Sequence, residues 1–294
     1  MRRAYATLDG PDGPWQIHYR MVGEGPPIVL LHPSPLTGAF LAPQIETLAP
    51  HAHCIAWDTP GYGNSDPLPA SWSASDLEPY VVALRLFMEA VAVEAPFIYG
   101  SATGAQIGIE FAKAFPDRCS GLLLENVAHF SDEEMTSITD GYFPDLSPRT
   151  DGAHLATAWE MAQRSMQVFP WHHKDHTRGH SNVHAVEDKQ EEQPEPDTAP
   201  IDSNIVHRVA LAFLKAGENY DRAYRCAFAN ERLERLVAVQ KPVHIVVWDD
   251  GLLGAYTERI ASADLPQNFT VHRASSGMQA RMEKLRKAAN DLLD

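Results

Sequence analysis

Five small residues at positions 100–104, in the order Gly-Ser-Ala-Thr-Gly, form the segment whose chemistry is easiest to predict. Residues 96–99 before them are apolar and residues 105–115 after them have helical spacing, which predicts a strand, a sharp turn and a helix. A Gly-x-Ser-x-Gly turn in that context presents a serine that attacks a carbonyl carbon. The centre of this turn is Ala102, and a methyl group cannot attack. Residues 100–104 therefore have the sequence pattern of a nucleophile turn but lack the nucleophilic side chain.

Short apolar strands and helices alternate on both sides of this turn. Strands are predicted at residues 16–21, 28–31, 54–57, 96–99, 121–124, 243–248 and 269–272, and helices at residues 39–48, 76–91, 105–115, 253–263 and 278–293. Strands that are buried on both faces are apolar runs of this length. The alternation predicts an α/β fold, with helices on both faces of a mostly parallel sheet.

The composition changes over residues 126–236, where strand signals are few and helical spacing dominates. Residues 204–214 and 220–235 are predicted to be amphipathic helices, whose apolar stripes pack together or line a cavity. Residues 185–200 are acidic and rich in proline, so we expect a mobile loop there. The predicted organisation is a core domain formed by residues 1–125 and 237–294, with a helical cap at residues 126–236.

Four segments, in chain order, resemble the α/β-hydrolase superfamily. Residues 30–35 (Leu-Leu-His-Pro-Ser-Pro) look like its oxyanion loop, and residues 58–66 look like the loop after the next strand. Residues 100–105 occupy the nucleophile elbow, and residues 111–124 look like the elbow helix and the strand that follows it. The resemblance implies a three-layer sandwich with a mostly parallel sheet and a helical cap insertion. It also places the active site where the elbow, the Ser34 loop and the cap meet.

The same resemblance assigns roles at the predicted site. Ala102 holds the nucleophile position, and the backbone N–H groups of Ser34 and Thr103 would form the oxyanion hole. Asp250 matches the acid of the triad, and Glu125 lies at a second acid position that some relatives use. The expected histidine position holds methionine, residue 278. Two of the three triad members are therefore missing, whereas the oxyanion elements remain.

Several side chains offer substitutes, each with an ordinary structural alternative. Ser101 is either a displaced nucleophile or a hydroxyl bonded to the backbone. His32 is either a general acid or base, or a brace for the oxyanion loop, and His272 could replace the missing base. Histidines recur every four residues from His172 to His184, a spacing that suits a metal-binding helix face, a proton-donating lid or a solvated lid segment.

Three functions remain open at this point. The chain could be a serine esterase or lactonase carrying an inactivating alanine at position 102. It could be an enzyme that acts on a small carbonyl compound by elimination, isomerisation, cyclisation or C–C cleavage. It could also be a small-molecule binding protein that is not catalytic. The simultaneous loss of nucleophile and base favours the second, non-hydrolytic possibility.

The net charge, the sequence motifs and the cysteine content limit which partners and cofactors are expected. A net charge of −15 argues against nucleic acid and against an anionic membrane surface, which leaves a small-molecule substrate and a possible homodimer. We expect no organic cofactor because neither Gly-x-Gly-x-x-Gly nor a phosphate-binding loop occurs, and we expect no metal. Three widely spaced cysteines, with no apolar signal segment at the start, predict buried free thiols in the cytoplasm.

Overall fold

The computed structural model describes residues 1–72, 75–172 and 202–293. One sheet contains eight strands in the order β1-β2-β4-β3-β5-β6-β7-β8. The first strands pair antiparallel, and β3 to β8 run parallel to one another. The strands are β1 (Arg2–Gly10), β2 (Gly13–Val22), β3 (Pro27–Leu31), β4 (His53–Trp57), β5 (Phe97–Ser101), β6 (Gly121–Glu125), β7 (Val243–Trp248) and β8 (Phe269–Ala274).

Ten α-helices surround this sheet in the described part of the chain. Those of the alternating part are α1 (Ala42–Leu48), α2 (Glu78–Ala90), α3 (Thr103–Ala114), α9 (Gly254–Ala261) and α10 (Met278–Leu293). Between β6 and β7 the chain forms α4 (Asp132–Thr139), α5 (Ala153–Ser165), α6 (Ser203–Ala216), α7 (Arg222–Asn230) and α8 (Leu233–Val237). The predicted α/β-hydrolase sandwich is confirmed, and the helical segment lies where the insertion is expected.

The central strands are apolar throughout because helices cover both of their faces. In β3, Val29 and Leu31 point into one core, whereas Ile28 and Leu30 point into the other. This two-residue alternation, combined with complete burial, is the physical basis of the short apolar runs seen in the sequence.

The helices between β6 and β7 have an aromatic core of their own, built around Phe130, Tyr142, Phe213 and Phe228. Ala102 of the elbow packs against the edge of that core. The inserted helices therefore turn an apolar face towards the strand ends that carry the candidate site.

Two features differ from the sequence-based expectations. Strand β1 was not predicted, because its outer residues are polar and buried side chains are few along its length. The helix predicted over residues 220–235 is broken: α7 ends at Asn230, and α8 begins after Arg232. The intervening Glu231 leaves the helix because its side chain binds groups on other elements, so tertiary contacts override local propensity.

The acidic segment at residues 185–200 lies outside the described residues. Within residues 1–72, 75–172 and 202–293, none of the helices combines the length and the apolar character that crossing a bilayer requires.

Candidate active site

The elbow between β5 and α3 has the backbone of a nucleophile turn. Ala102 adopts φ 49° and ψ −116°, a conformation that costs a residue with a side chain about 1–3 kcal/mol. The flanking glycines permit the turn because neighbouring backbone comes very close to them. A Cβ at Gly104 would lie 2.1 Å from the carbonyl oxygen of Leu31, and one at Gly100 would lie 2.6 Å from the Cα of Ala105. The sharp turn is therefore kept although its central side chain is a methyl group.

Two backbone amides near this turn are candidates for binding a ligand oxygen. Thr103 is the first residue of α3, so its N–H has no partner inside the helix. Ser34 precedes a cis bond to Pro35 in the loop after β3. Neither amide donates a hydrogen bond to another residue in the described part of the chain. Both residues line the same cavity, as the oxyanion-hole prediction requires.

That cavity has a volume of about 400 Å³ and lies between the strand ends and the inserted helices. Its wall on the insertion side is formed by Tyr142, Val168, Phe169, Trp171, Val209, Phe213 and Phe228. On the sheet side, Ser34, Ala102 and Thr103 form part of its lining. An apolar wall with a few polar groups at one end suits a small, mostly apolar organic molecule.

Two further predicted residues also border the cavity. The Ser101 hydroxyl accepts a hydrogen bond from Asn126 Nδ2 at 2.9 Å, so its partner is a side chain rather than the expected backbone group. Asp250 follows β7, and its Oδ2 accepts a hydrogen bond at 3.2 Å from the backbone N–H of Gly277. Asp250 is thus held by the loop in which the family histidine would occur.

The residue at the histidine position does not reach the cavity. Met278 is 55% exposed at the start of α10 and is not part of the cavity lining.

His32 and His272 are placed away from the cavity. His32 is fully buried; its Nδ1 lies 2.9 Å from the carbonyl oxygen of Pro33, and its Nε2 accepts from the N–H of Thr59. Burial lowers the pKa of His32, so the ring braces the loops in its neutral form. Nε2 of His272 lies 3.1 Å from Nδ1 of His244. Burial, together with the neighbouring His244, lowers the pKa of His272 to about 4. Neither histidine lines the cavity, so the expectation that His272 replaces the missing base is not supported by its position.

The second acid position, Glu125, is occupied by an ion pair. Arg281 of α10 binds the fully buried carboxylate with two hydrogen bonds of 2.8 Å, and Tyr99 donates a third. Burial acts to lower the pKa of Arg281, but its bonds to Glu125 outweigh this and raise it. The guanidinium also stacks 3.9 Å from the ring centre of Trp248. Glu125 itself does not line the cavity, whereas Arg281 does.

Glu231 is a cavity residue that the sequence analysis missed. It is 2% exposed, and its Oε2 accepts hydrogen bonds from Gln106 Nε2 at 2.9 Å and from the Ala128 N–H at 2.7 Å. Asn230 Nδ2 binds the Gln106 amide oxygen at 2.8 Å and fixes its orientation. Burial raises the pKa of Glu231 well above its usual range. No sequence signal could find it, because the local pattern predicts an uninterrupted amphipathic helix over residues 220–235.

The described residues contain no group of three acidic, histidine or cysteine side chains that could hold a metal ion. The predicted histidine face begins at His172, but residues 173–201 lie outside the described residues. The metal and lid alternatives for that segment therefore stay predictions.

Comparison with known proteins agrees with this architecture. The family model for the α/β hydrolase fold matches residues 26–168. A 2-hydroxy-6-oxononadienedioate/2-hydroxy-6-oxononatrienedioate hydrolase from Pseudomonas putida is 33% identical over 37% of this chain and 39% of its own length. A pimeloyl-[acyl-carrier protein] methyl ester esterase from Xanthomonas oryzae is 35% identical over 34% of this chain and 36% of its own length. The chain thus matches well under half the length of these curated relatives.

A solved structure extends the likeness in fold to the whole chain. The thermophilic esterase from Thermogutta terrifontis superimposes with a TM-score of 0.67 and 17% identity, covering 100% of this chain and 98% of the esterase. These curated relatives are named as a hydrolase and an esterase. The family match and the strand order together show that this chain has the α/β-hydrolase fold.

Proposed function

We propose that this protein is an enzyme that hydrolyses a small, mostly apolar carbonyl compound without forming an acyl-enzyme. The observation that supports this proposal is that Ser34, Thr103 and Asp250 border a single cavity. Ala102, which also lines this cavity, places only a methyl group at the nucleophile position. Two candidate oxyanion residues and a carboxylate border the cavity, whereas the nucleophile position holds alanine and no imidazole belongs to the described lining.

In the proposed reaction the carbonyl oxygen binds the N–H groups of Ser34 and Thr103. Each such donor contributes roughly 3 kcal/mol to transition-state stabilisation in hydrolases that use it. Ala102 lacks the hydroxyl group of serine, which leaves room for a water molecule beside the carbonyl carbon. Asp250 takes a proton from that water as its oxygen bonds to the carbon. The bond to the leaving group then breaks, and a proton is delivered to the leaving atom.

The inactive-serine alternative has less support from the cavity. Restoring serine at position 102 would supply a nucleophile, but no histidine lines the described cavity to accept its proton. That alternative also leaves the exposed Met278 unexplained. Direct attack by water accommodates both departures from the family pattern.

The test is a turnover assay with neutral aryl esters and small lactones, with products separated by chromatography. We expect Asp250→Asn to lower kcat/KM by about 10²-fold or more, as loss of a general base does. The neighbouring Asp249 is also exposed but does not line the cavity, so Asp249→Asn is the matched control. Filling the elbow with Ala102→Leu should abolish turnover.

Two outcomes would count against the proposal. If no substrate of the panel is turned over while ligands still bind, the protein is a binding module. If Asp250→Asn and Asp249→Asn behave alike, the base is another group.

We further propose that the protein is cytoplasmic and forms a homodimer. Cys54, Cys119 and Cys226 are buried thiols that form no disulfide, which fits the predicted reducing cytoplasm. Cell fractionation tests the location, and light scattering tests the predicted homodimer.

A further inference from the structure

The carboxyl group of Glu231 is buried in the cavity wall without a positive partner. Arg232 is adjacent in sequence, but its guanidinium binds the Glu231 backbone carbonyl and the carboxylate of Asp132. No described basic side chain forms an ion pair with the Glu231 carboxyl group. An unpaired carboxylate in such surroundings is costly, so the group is favoured in its neutral form.

The hydrogen bonds of Glu231 determine which oxygen carries the proton. Oε2 accepts from both Gln106 and Ala128, so it acts as the carbonyl-type oxygen of the acid. Oε1 has no hydrogen-bond partner among the described residues, and the residue lines the cavity. The proton of the neutral acid therefore resides on Oε1, where a ligand oxygen can receive it.

The position of Glu231 relative to the elbow is also fixed. Gln106 lies one turn into α3, and its N–H donates to the carbonyl oxygen of Ala102. Through Gln106, the acid is tied to the same helix start that supplies the Thr103 N–H. Its orientation does not depend on the missing triad, because Asn230 and Ala128 hold the network from the insertion and from the loop after β6.

We propose that Glu231 is a catalytic residue that donates the proton of Oε1 to the leaving oxygen of an ester or lactone bound in the cavity. This inference rests on the proposed function. In the complete step, water oxygen bonds to the carbonyl carbon, Asp250 takes the water proton and the carbon–oxygen bond breaks. The leaving oxygen takes the Glu231 proton, after which solvent reprotonates Glu231 and accepts the proton from Asp250. The substrate class is an uncharged ester or lactone whose leaving group is a poor one.

The test compares two acetate esters of similar size. The 4-nitrophenolate leaving group departs without being protonated, whereas the benzyl alkoxide needs a proton to depart. Glu231→Gln keeps an oxygen for Gln106 and Ala128 and an N–H for the cavity, but it has no proton to transfer. We expect this variant to lose about 10²-fold or more in kcat/KM for benzyl acetate and to keep most of its activity on 4-nitrophenyl acetate. Glu234→Gln is the matched control because Glu234 is exposed on the neighbouring helix.

The outcomes separate failure of the Glu231 inference from failure of the proposed hydrolase. If Glu231→Gln lowers turnover of both esters equally, Glu231 only shapes the cavity and the inference fails, while the proposed hydrolase stands. If the wild-type protein hydrolyses neither ester, the proposed function fails for esters.

An infrared measurement then tests the acid independently of turnover. A protonated carboxyl C=O band at neutral pH that disappears in Glu231→Gln supports the neutral donor. Its absence from the wild-type spectrum would overturn the inference.

Discussion

Removing the guanidinium of Arg281 is the sharpest perturbation of the framework beneath the cavity. Glu125 is fully buried at the end of β6, and both of its oxygens bind Arg281. Arg281→Met keeps most of the apolar stem that packs near Trp248 but removes the positive charge. The carboxylate is then left with the Tyr99 hydroxyl and a long 3.5 Å contact from Gln44 Nε2.

The expected cost follows from burial. Breaking a buried ion pair by removing one partner typically destabilises a protein by about 3–5 kcal/mol, because the remaining charge is unpaired. An exposed pair contributes roughly 0–1 kcal/mol. Arg273 and Glu258 form such a pair, with side chains 50% and 45% exposed, so Arg273→Met is the control. The two substitutions should therefore differ by at least about 2 kcal/mol.

The assay is equilibrium unfolding in urea at neutral pH for Arg281→Met, Arg273→Met, Glu125→Gln and the double variant Arg281→Met with Glu125→Gln. The double variant should recover much of the loss, since it removes both charges together. The coupling between the two sites should exceed about 1 kcal/mol, as expected for residues in direct contact. If Arg281→Met costs no more than Arg273→Met, or if the double variant is additive, the ion pair does not organise this end of the fold.

Further expectations concern the elbow and one salt bridge. Gly104→Ala should destabilise the folded protein by about 3 kcal/mol or prevent folding. Gly254→Ala should be tolerated, because a Cβ at residue 254 would lie an ordinary 3.4 Å from its nearest heavy atom. Thermal unfolding of the two variants compares these effects. Ala102→Ser should not be labelled by a fluorophosphonate probe, because no described cavity histidine can activate it; labelling would support the inactive-esterase alternative. The Arg259 hydrogen bonds lower the pKa of Glu134 to about 2. Their stabilisation is therefore present above the ordinary glutamate range and is lost as pH falls towards 2, and Arg259→Met should flatten this acid limb of the unfolding curve.

Much of the sheet was predictable because its physical cause is local. Strands such as β3 and β6 are apolar along their whole length, since both faces are covered, and that signal is visible in a few residues. Strand β1 was missed because it lies at the sheet edge, where one face is solvated and the pattern is weak.

Some of the cavity residues could likewise be predicted from local sequence, whereas others could not. Ala102, Thr103 and Ser34 belong to segments whose small residues and spacing indicate the turn itself. Arg281 and Glu231 act through partners more than 100 positions away in sequence, so no local pattern contains them. Glu231 was hidden further by a helical pattern that the fold interrupts at that residue.

A crystal structure with acetophenone bound would test whether the Ser34 and Thr103 amides bind a carbonyl oxygen above Ala102. The ketone is small, mostly apolar and cannot be hydrolysed, so it should remain intact in the cavity. We expect its oxygen within about 2.7–3.1 Å of both amide nitrogens and its ring against the aromatic wall. An oxygen directed at the inserted helices, or amide groups that point to different places, would contradict the proposed polarisation.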